Sequence, residues 1–205
     1  MYSKEDIFNL ALSALLLQRR ITNADTDMSN EAKVLRSVWN PAFFSTLEDL
    51  DLDATSEIIQ LELIDENPNK LWKYVYKYPQ NCALFRRIQS CVRKDNRFTQ
   101  IPKKVGLYQG ERAIFTNQFD AIGEYIPNDT SVTLLSATAG IALSLRLALM
   151  SAPLATGKGA TALIKSLGDR YVAVKAEAQE QDKNENFNFE DPAIESEFVA
   201  ARVSY

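Results

Sequence analysis

Few residues in this chain of 205 could perform chemistry. The sequence contains no His, which excludes Ser-His-Asp and Cys-His catalysis and any His-ligated zinc site. Its two cysteines, Cys82 and Cys91, are too few for a thiolate metal site, and their spacing is not that of a redox Cys-x-x-Cys pair. A disulfide across a hairpin is one interpretation. We expect two buried free thiols, because a reducing compartment disfavours the bridge.

Two short motifs are superficially similar to ligand sites. Residues 156–159, Thr-Gly-Lys-Gly, resemble part of a phosphate-binding loop. The first glycine of such a loop would fall at Ala152, however, and Gly159 stands where a Ser or Thr should hold the metal. The acids at 49–53 lack the glycine and the terminal glutamate of a calcium loop. We therefore predict no enzymatic activity, no cofactor and no metal site.

The elements that would position any site follow from periodicity and turn residues. Ser3 and Asp6 predict a capping box for a first helix, and Ser29 predicts the start of a second helix that Pro41 kinks or breaks. A third helix is expected from about 131 to 150 and a fourth from about 160 to 180. Alternating patterns predict strands between the helices, with a tight turn at 109–110. These strands are residues 57–64, 71–78, 83–88, 104–108, 112–117 and 121–126.

This order predicts an α+β fold. We expect residues 1–50 and 130–183 to form an antiparallel helical bundle of four or five helices. Residues 51–129 would be an inserted β-rich domain, and residues 184–205 an extended C-terminal arm. Residues 132–152 are apolar enough to imitate a membrane span, but Arg146 and several hydroxyl residues favour a helix buried in protein. Acids close to Met1 do not fit a secretory signal.

Charge is strongly segregated along the chain, although the formal net charge is only −4. Residues 48–66 carry eight acids and no base, residues 70–112 carry eleven bases and two acids, and residues 177–205 carry eight acids and two bases. Such blocks suit side-by-side contacts between copies of one chain. They are equally typical of a solvated sheet face. The alternation of aromatic residues with lysines at 72–78 leaves nucleic-acid binding as another interpretation.

Two further patterns concern packing and docking. Ser136, Gly140 and Ser144 recur every four residues on the third helix and predict a small-residue stripe, which would let another helix of this chain or of a neighbour approach closely. The acidic C-terminal segment lacks a sustained apolar face, so we expect it to order only on binding a partner. Its candidate anchors are Phe187, Phe189, Phe198, Arg202 and Tyr205.

Several local sequences, taken in order, resemble the head-to-tail adaptors of short-tailed bacteriophages, the tail tubular protein A family. They are the opening helix IFNLALSALL, Val38-Trp39 in the second helix, YPQNCALFR at 78–86, Leu107-Tyr108 before the 109–110 turn, and the closing helices at 133–150 and up to 178. Asn81 stands where the family has an Asp before its strand, and residues 41–44 replace an aromatic-rich turn of the family.

The resemblance implies a structural virion protein of the neck, synthesised in the host cytoplasm. Such adaptors form a ring, typically dodecameric, that joins the portal protein to the tail nozzle protein, with tail fibres as a further candidate partner. The helical part would line the channel, through which DNA passes without specific binding, and the C-terminal arm would dock on the portal. The rival interpretation is a small monomeric binding protein whose basic aromatic sheet recognises a protein or a nucleic acid.

Overall fold

A computed structural model describes residues 2–52, 55–90, 101–155 and 161–185. Within these ranges the chain forms four α-helices and seven β-strands. The helices are α1 (Lys4–Ala14), α2 (Asn30–Leu50), α3 (Ala137–Ala155) and α4 (Thr161–Glu185). The strands are β1 (Glu57–Gln60), β2 (Leu63–Glu66), β3 (Tyr74–Lys77), β4 (Cys82–Ser90), β5 (Lys103–Tyr108), β6 (Glu111–Thr116) and β7 (Ala121–Pro127).

The first two helices begin where their capping residues predict. The Ser3 hydroxyl accepts from the Asp6 amide at 3.2 Å, and the Asp6 carboxylate accepts from the Ser3 amide at 2.9 Å, which completes the capping box. Ser29 caps α2 by accepting from the amide of Ala32 at 3.3 Å. α2 ends at Leu50, and its C-cap is Asp51, which has a left-handed φ of 52°.

Pro41 does not break α2, which excludes the broken form of the kinked or broken helix that we expected. The helix is continuous from Asn30 to Leu50, with the proline inside it. Pro41 is exposed, as is Ser37, whose carbonyl loses its helical donor to the proline. Buried residues lie on both sides of it, including Leu35 and Leu47, so both halves of the helix pack against one core.

The seven strands form two antiparallel sheets, and their partition corrects one prediction. Sheet A has the order β1-β7-β4, and sheet B has the order β2-β3-β6-β5. Residues 57–64 are therefore not one strand: β1 belongs to sheet A and β2 to sheet B. The chain crosses between the sheets at Leu61, whose side chain is buried in the core shared by the two sheets.

The structure has three layers, in the order helices, sheet A and sheet B. Tyr76 and Ile114 of sheet B pack with Phe85 and Tyr125 of sheet A in the core between the sheets. The opposite face of sheet A contributes to the helical core, where Ile126 is fully buried. Sheet A is thus the middle layer.

The α+β class agrees with the sequence prediction, whereas the antiparallel bundle with an inserted β-rich domain is wrong. α3 is a central helix that packs on α1, α2 and α4, while α1 and α2 meet through the rings of Phe8 and Trp39, whose centroids lie 5.5 Å apart. Leu52, Leu84 and Ile126, all from the segment expected to be an independent insertion, lie in or against the helical core. Side chains of sheet A and the helices therefore share one core. The expected arm at 184–205 lies almost entirely outside the described residues.

Both C-terminal helices differ from their predicted bounds. A 3₁₀ turn at Val132–Leu134 precedes α3, which continues past Met150 and through Pro153 to Ala155. α4 continues beyond the predicted end at about 180, to Glu185. α3 is long and apolar enough to cross a membrane by composition alone, but 56% of its apolar window is buried within this fold. That burial is what a central core helix requires.

Candidate assembly surfaces

The acidic motif at the end of α2 is used in contacts within the fold. Asp49 accepts a hydrogen bond from the Tyr171 hydroxyl at 2.8 Å, and it lies 3.8 Å from the Arg146 guanidinium and 3.7 Å from the Lys175 ammonium. Asp51 is the C-cap of the helix. Across the part of the chain that the structure describes, no three His, Cys, Asp or Glu side chains form a metal-binding group. The loop-like motif at 156–159 lies outside the described residues.

Cys82 is a free, buried thiol that donates to the Tyr78 hydroxyl at 3.2 Å. Burial raises the pKa of Cys82, which disfavours the thiolate needed for nucleophilic chemistry. Burial also raises the pKa of Tyr78 to about 12. The pair therefore acts as neutral core packing. Cys91 lies outside the described residues.

A buried ionic cluster, which the sequence analysis missed, lies on the helix-facing side of sheet A. The register of β4 and β7 shifts between Phe85 and Arg87, so Arg86 is an extra residue in a β-bulge. The bulge directs Arg86 and Arg87 to the same carboxylate, that of Glu124. Arg86 Nη1 donates to Glu124 Oε1 at 2.7 Å, and Arg87 Nε donates to Glu124 Oε2 at 2.5 Å. The sequence does carry a signal for this cluster: two arginines follow each other in a strand whose other residues alternate.

The same arginine joins sheet A to the end of α2. Arg86 donates to the Asp51 carboxylate and carbonyl, both at 2.6 Å, and to the Leu52 carbonyl at 3.1 Å. These carbonyls follow the last turn of the helix, where backbone acceptors lack helical partners. Arg86 thus fixes the position of the sheets relative to the helical layer.

The small-residue stripe is divided between three environments. Ser136 is the residue before α3, and its hydroxyl accepts from the Ala139 amide at 3.3 Å. Gly140 lies beneath the ring of Tyr2, because a Cβ at residue 140 would be 2.4 Å from Tyr2 Cδ2. Ser144 is buried and donates to the Ile141 carbonyl of its own helix. The group closest to Gly140 is therefore a side chain from the N-terminal segment.

The predicted docking anchors Phe187, Phe189, Phe198, Arg202 and Tyr205 lie outside the described residues. The helix that leads to them is held by a contact near its end, where the Thr138 hydroxyl donates to the Gln181 amide oxygen at 2.6 Å. Gln179 donates to the Asp49 carbonyl at 2.9 Å. The last turns of α4 are thus anchored to α2 and to the start of α3.

The aromatic residues of the basic block mostly serve the cores of the sheets. Tyr76 and Tyr78 are buried between the sheets, so their rings are not available for stacking on nucleic-acid bases. On the outer face of sheet B, Trp72 and Tyr108 pack on the buried Val75, Ala113 and Phe115. The Tyr108 hydroxyl donates to Asp65 across that face. Because these rings pack within the protein, the structure gives little support for a surface on which nucleic-acid bases would stack.

An exposed apolar and acidic surface runs along one side of the two sheets. We call residues 57–66, which contain the edge strands β1 and β2, the acidic edge. Four large apolar side chains are exposed there, and four acids accompany them without a basic residue. The apolar residues are Ile58, Ile59, Leu63 and Ile64, and the acids are Glu57, Glu62, Asp65 and Glu66.

The strands on the opposite side of the sheets are basic in sequence, although Arg86 and Arg87 are paired with Glu124 in the buried cluster. We call the terminal strands β4 and β5 the basic edge: they contain Arg86, Arg87, Lys103 and Lys104 and no acid. Lys103 donates to the Phe85 and Arg86 carbonyls, which holds β5 beside β4, and burial lowers its pKa. Lys104 is exposed, and Leu107, farther along β5, is 76% exposed.

Comparison with known proteins does not assign this chain to a family. A scan against protein-family models finds no match, and a search of curated proteins finds no matching relative. The functional argument therefore rests on the residues and surfaces of this chain.

Proposed function

We propose that this protein is a structural subunit of a bacteriophage neck, a head-to-tail adaptor that assembles as a ring between the portal and the tail nozzle. The observation that carries the proposal is the acidic edge, where two consecutive edge strands expose four large apolar side chains. Exposed apolar side chains concentrated in one short segment are typical of a protein contact surface. The resemblance of the chain to the tail tubular protein A family supports the same function.

The order of elements supports this proposal as well. Two N-terminal helices, a stretch of strands and two C-terminal helices follow one another, as in the motifs that carry the resemblance. α4 leads directly to the acidic, aromatic segment at 186–205, which we propose to dock on the portal. The net charge of −4 suits a duct through which DNA slides, because phosphate binding requires concentrated Lys and Arg.

Binding to the portal protein of the same phage tests the proposal. The full chain should co-sediment with assembled portal rings, whereas a chain truncated after Glu185 should not, because the truncation removes all five candidate anchors. Truncation at this point keeps α4 and its Gln181 contact, so the far-ultraviolet circular dichroism of the two chains should agree. Equal co-sedimentation of both chains would refute the role of the arm. Absence of the protein from purified virions would refute the function.

A further inference from the structure

We propose that neighbouring copies of this chain join edge to edge, with β2 of one copy adding to β5 of the next, so that sheet B continues from subunit to subunit. The inference deepens the proposed function and rests on it, since it names the surfaces through which the ring would form. Its occupant is a second copy of this chain. Three features of the described residues support it.

The first feature is the opposite charge of the two edge strands. The exposed charges are Glu66 on β2 and Lys104 on β5, since Asp65 accepts from Tyr108 and Lys103 donates to the Phe85 and Arg86 carbonyls within the same copy. Edge strands with like charge repel each other, and lysines on an edge are a common protection against unwanted pairing. This distribution of charge disfavours pairing of β2 with the β2 of a second copy, and of β5 with its β5. It favours pairing of β2 with β5. The charges thus select a head-to-tail contact.

The second feature is the direction of the strands. Sheet B has four strands, and each is antiparallel to its neighbour, so β2 and β5 run in opposite directions. When two copies stand side by side in the same orientation, β2 of one copy is therefore antiparallel to β5 of the other. Copies that contact each other through the same two unlike surfaces close into a ring when the rotation from one copy to the next divides a full turn evenly. The strand order is thus compatible with cyclic symmetry.

The third feature is the apolar surface at both edges. Leu63 and Ile64 of β2 are 41% and 42% exposed, and Leu107 of β5 is 76% exposed. Strand addition supplies backbone hydrogen bonds, while apolar side chains beside the new pair leave water. Among the described strands, β2 and β5 each have a neighbour on one side only. Both edges therefore offer backbone groups as well as apolar area.

Two edge variants test the contact. The acidic-edge variant combines Ile64→Lys with Glu66→Lys, and the basic-edge variant combines Lys104→Glu with Leu107→Glu. All four positions are exposed, so both variants should unfold close to the wild-type temperature. In sedimentation velocity over a concentration series, wild type should self-associate, and each variant alone should show an association constant at least tenfold lower.

Mixing the two variants gives the sharper result. The acidic-edge variant retains an intact β5, and the basic-edge variant retains an intact β2, so an equimolar mixture should form heterodimers through these two intact strands. A symmetric contact between identical surfaces would not be restored in this way. Zero-length carbodiimide coupling in wild type should join Lys104 to a carboxylate of residues 57–66, as read by peptide mass spectrometry. A matched control, Lys70→Glu, changes an exposed charge that lies outside both edge strands.

The outcomes separate this inference from the proposed function. If both variants self-associate as wild type does, edge pairing is wrong, while a ring built through another surface remains. If wild type stays monomeric and yields no Lys104 cross-link, edge pairing is also wrong. The proposed function is then tested separately, by co-sedimentation with portal rings. Loss of association in both variants, with heterodimers on mixing, supports the inference.

Discussion

Arg86 and Glu124 form an ion pair at 2.7 Å, with only 4% and 2% of their side chains exposed. Glu124 also accepts from Arg87 and from Gln89 Nε2 at 2.9 Å, so both of its oxygens are satisfied. The bulge in β4 makes this cluster possible, because it directs two consecutive arginines to one side of sheet A. The pair connects the middle of sheet A to the end of α2.

Removing the carboxylate should therefore be costly. Glu124→Gln removes the buried counter-charge of Arg86 and leaves the exposed Asp51 carboxylate as its partner, so the loss of unfolding free energy should approach, but not exceed, the roughly 3–5 kcal/mol of a buried pair broken from one side. Urea unfolding followed by circular dichroism measures the loss. The matched control is Glu62→Gln, which breaks the exposed pair with Lys77 at 3.3 Å and should cost less than about 1 kcal/mol. Equal losses in the two variants would contradict the assigned role of the buried cluster.

Gly140 and Tyr2 should be energetically coupled. Gly140→Ala gains about 1 kcal/mol of helix propensity, but its methyl group must displace the Tyr2 ring. In a Tyr2→Ala background the same substitution should stabilise the protein by about 1 kcal/mol, because the ring is absent. A double-mutant cycle from urea unfolding gives the coupling. The same effect of Gly140→Ala in both backgrounds would show that the ring does not constrain this position.

Gly123 should tolerate no methyl group, since a Cβ there would lie 2.7 Å from Leu61 Cδ2 and 2.8 Å from Phe85 Cε2. Gly123→Ala should push the two sheets apart and cost about 1–3 kcal/mol, as overpacked cores do. The matched control is Gly168→Ala in α4, where nothing lies within 4 Å of the added atom. That variant should gain up to about 1 kcal/mol. Thermal unfolding of both variants should show shifts of opposite sign.

Stability should fall in strongly alkaline solution. Burial raises the pKa of Tyr78 to about 12, and burial together with the hydrogen bond to Asp49 raises the pKa of Tyr171 above the ordinary value of 10.0. Above pH 10 the unfolded chain loses these phenolic protons while the folded chain keeps them, so deprotonation favours unfolding. The unfolding free energy should decline from about pH 10 upward.

Two variants identify the groups responsible for this decline. Tyr78→Phe and Tyr171→Phe should each make the decline shallower, whatever their stability at pH 7. Ile114→Val, a core variant without a phenol, should keep the wild-type slope. Tyrosinate absorbance at 295 nm should rise with unfolding, and an unchanged slope in both Phe variants would contradict the assignment.

Local signals in the sequence predicted the features that depend on neighbouring residues. The Ser3–Asp6 capping box and the Ser29 cap lie as expected. So does the 109–110 turn, where Gln109 and Gly110 have φ values of 52° and 88°. Such elements depend on hydrogen bonds and backbone angles within a few residues, which the residue types specify directly.

Features that depend on distant partners were not predictable in the same way. Residues 57–64 alternate as one strand, and only the burial of Leu61 between the sheets divides them. Pro41 suggested a break, but core contacts on both sides of it outweigh the missing hydrogen bond. The β4 bulge depends on the register with β7. Of the candidate surfaces, the charge blocks were visible in the sequence, whereas their placement on opposite edges required the strand order.

The central position of α3 has a consequence for biosynthesis. α1 and α2 meet through Phe8 and Trp39, but both pack more extensively on a helix that starts at Ala137. During translation most of the apolar surface of α1 and α2 stays exposed until that helix leaves the ribosome. The N-terminal part of the nascent chain should therefore be a ready client for chaperones, and folding should complete only late in synthesis.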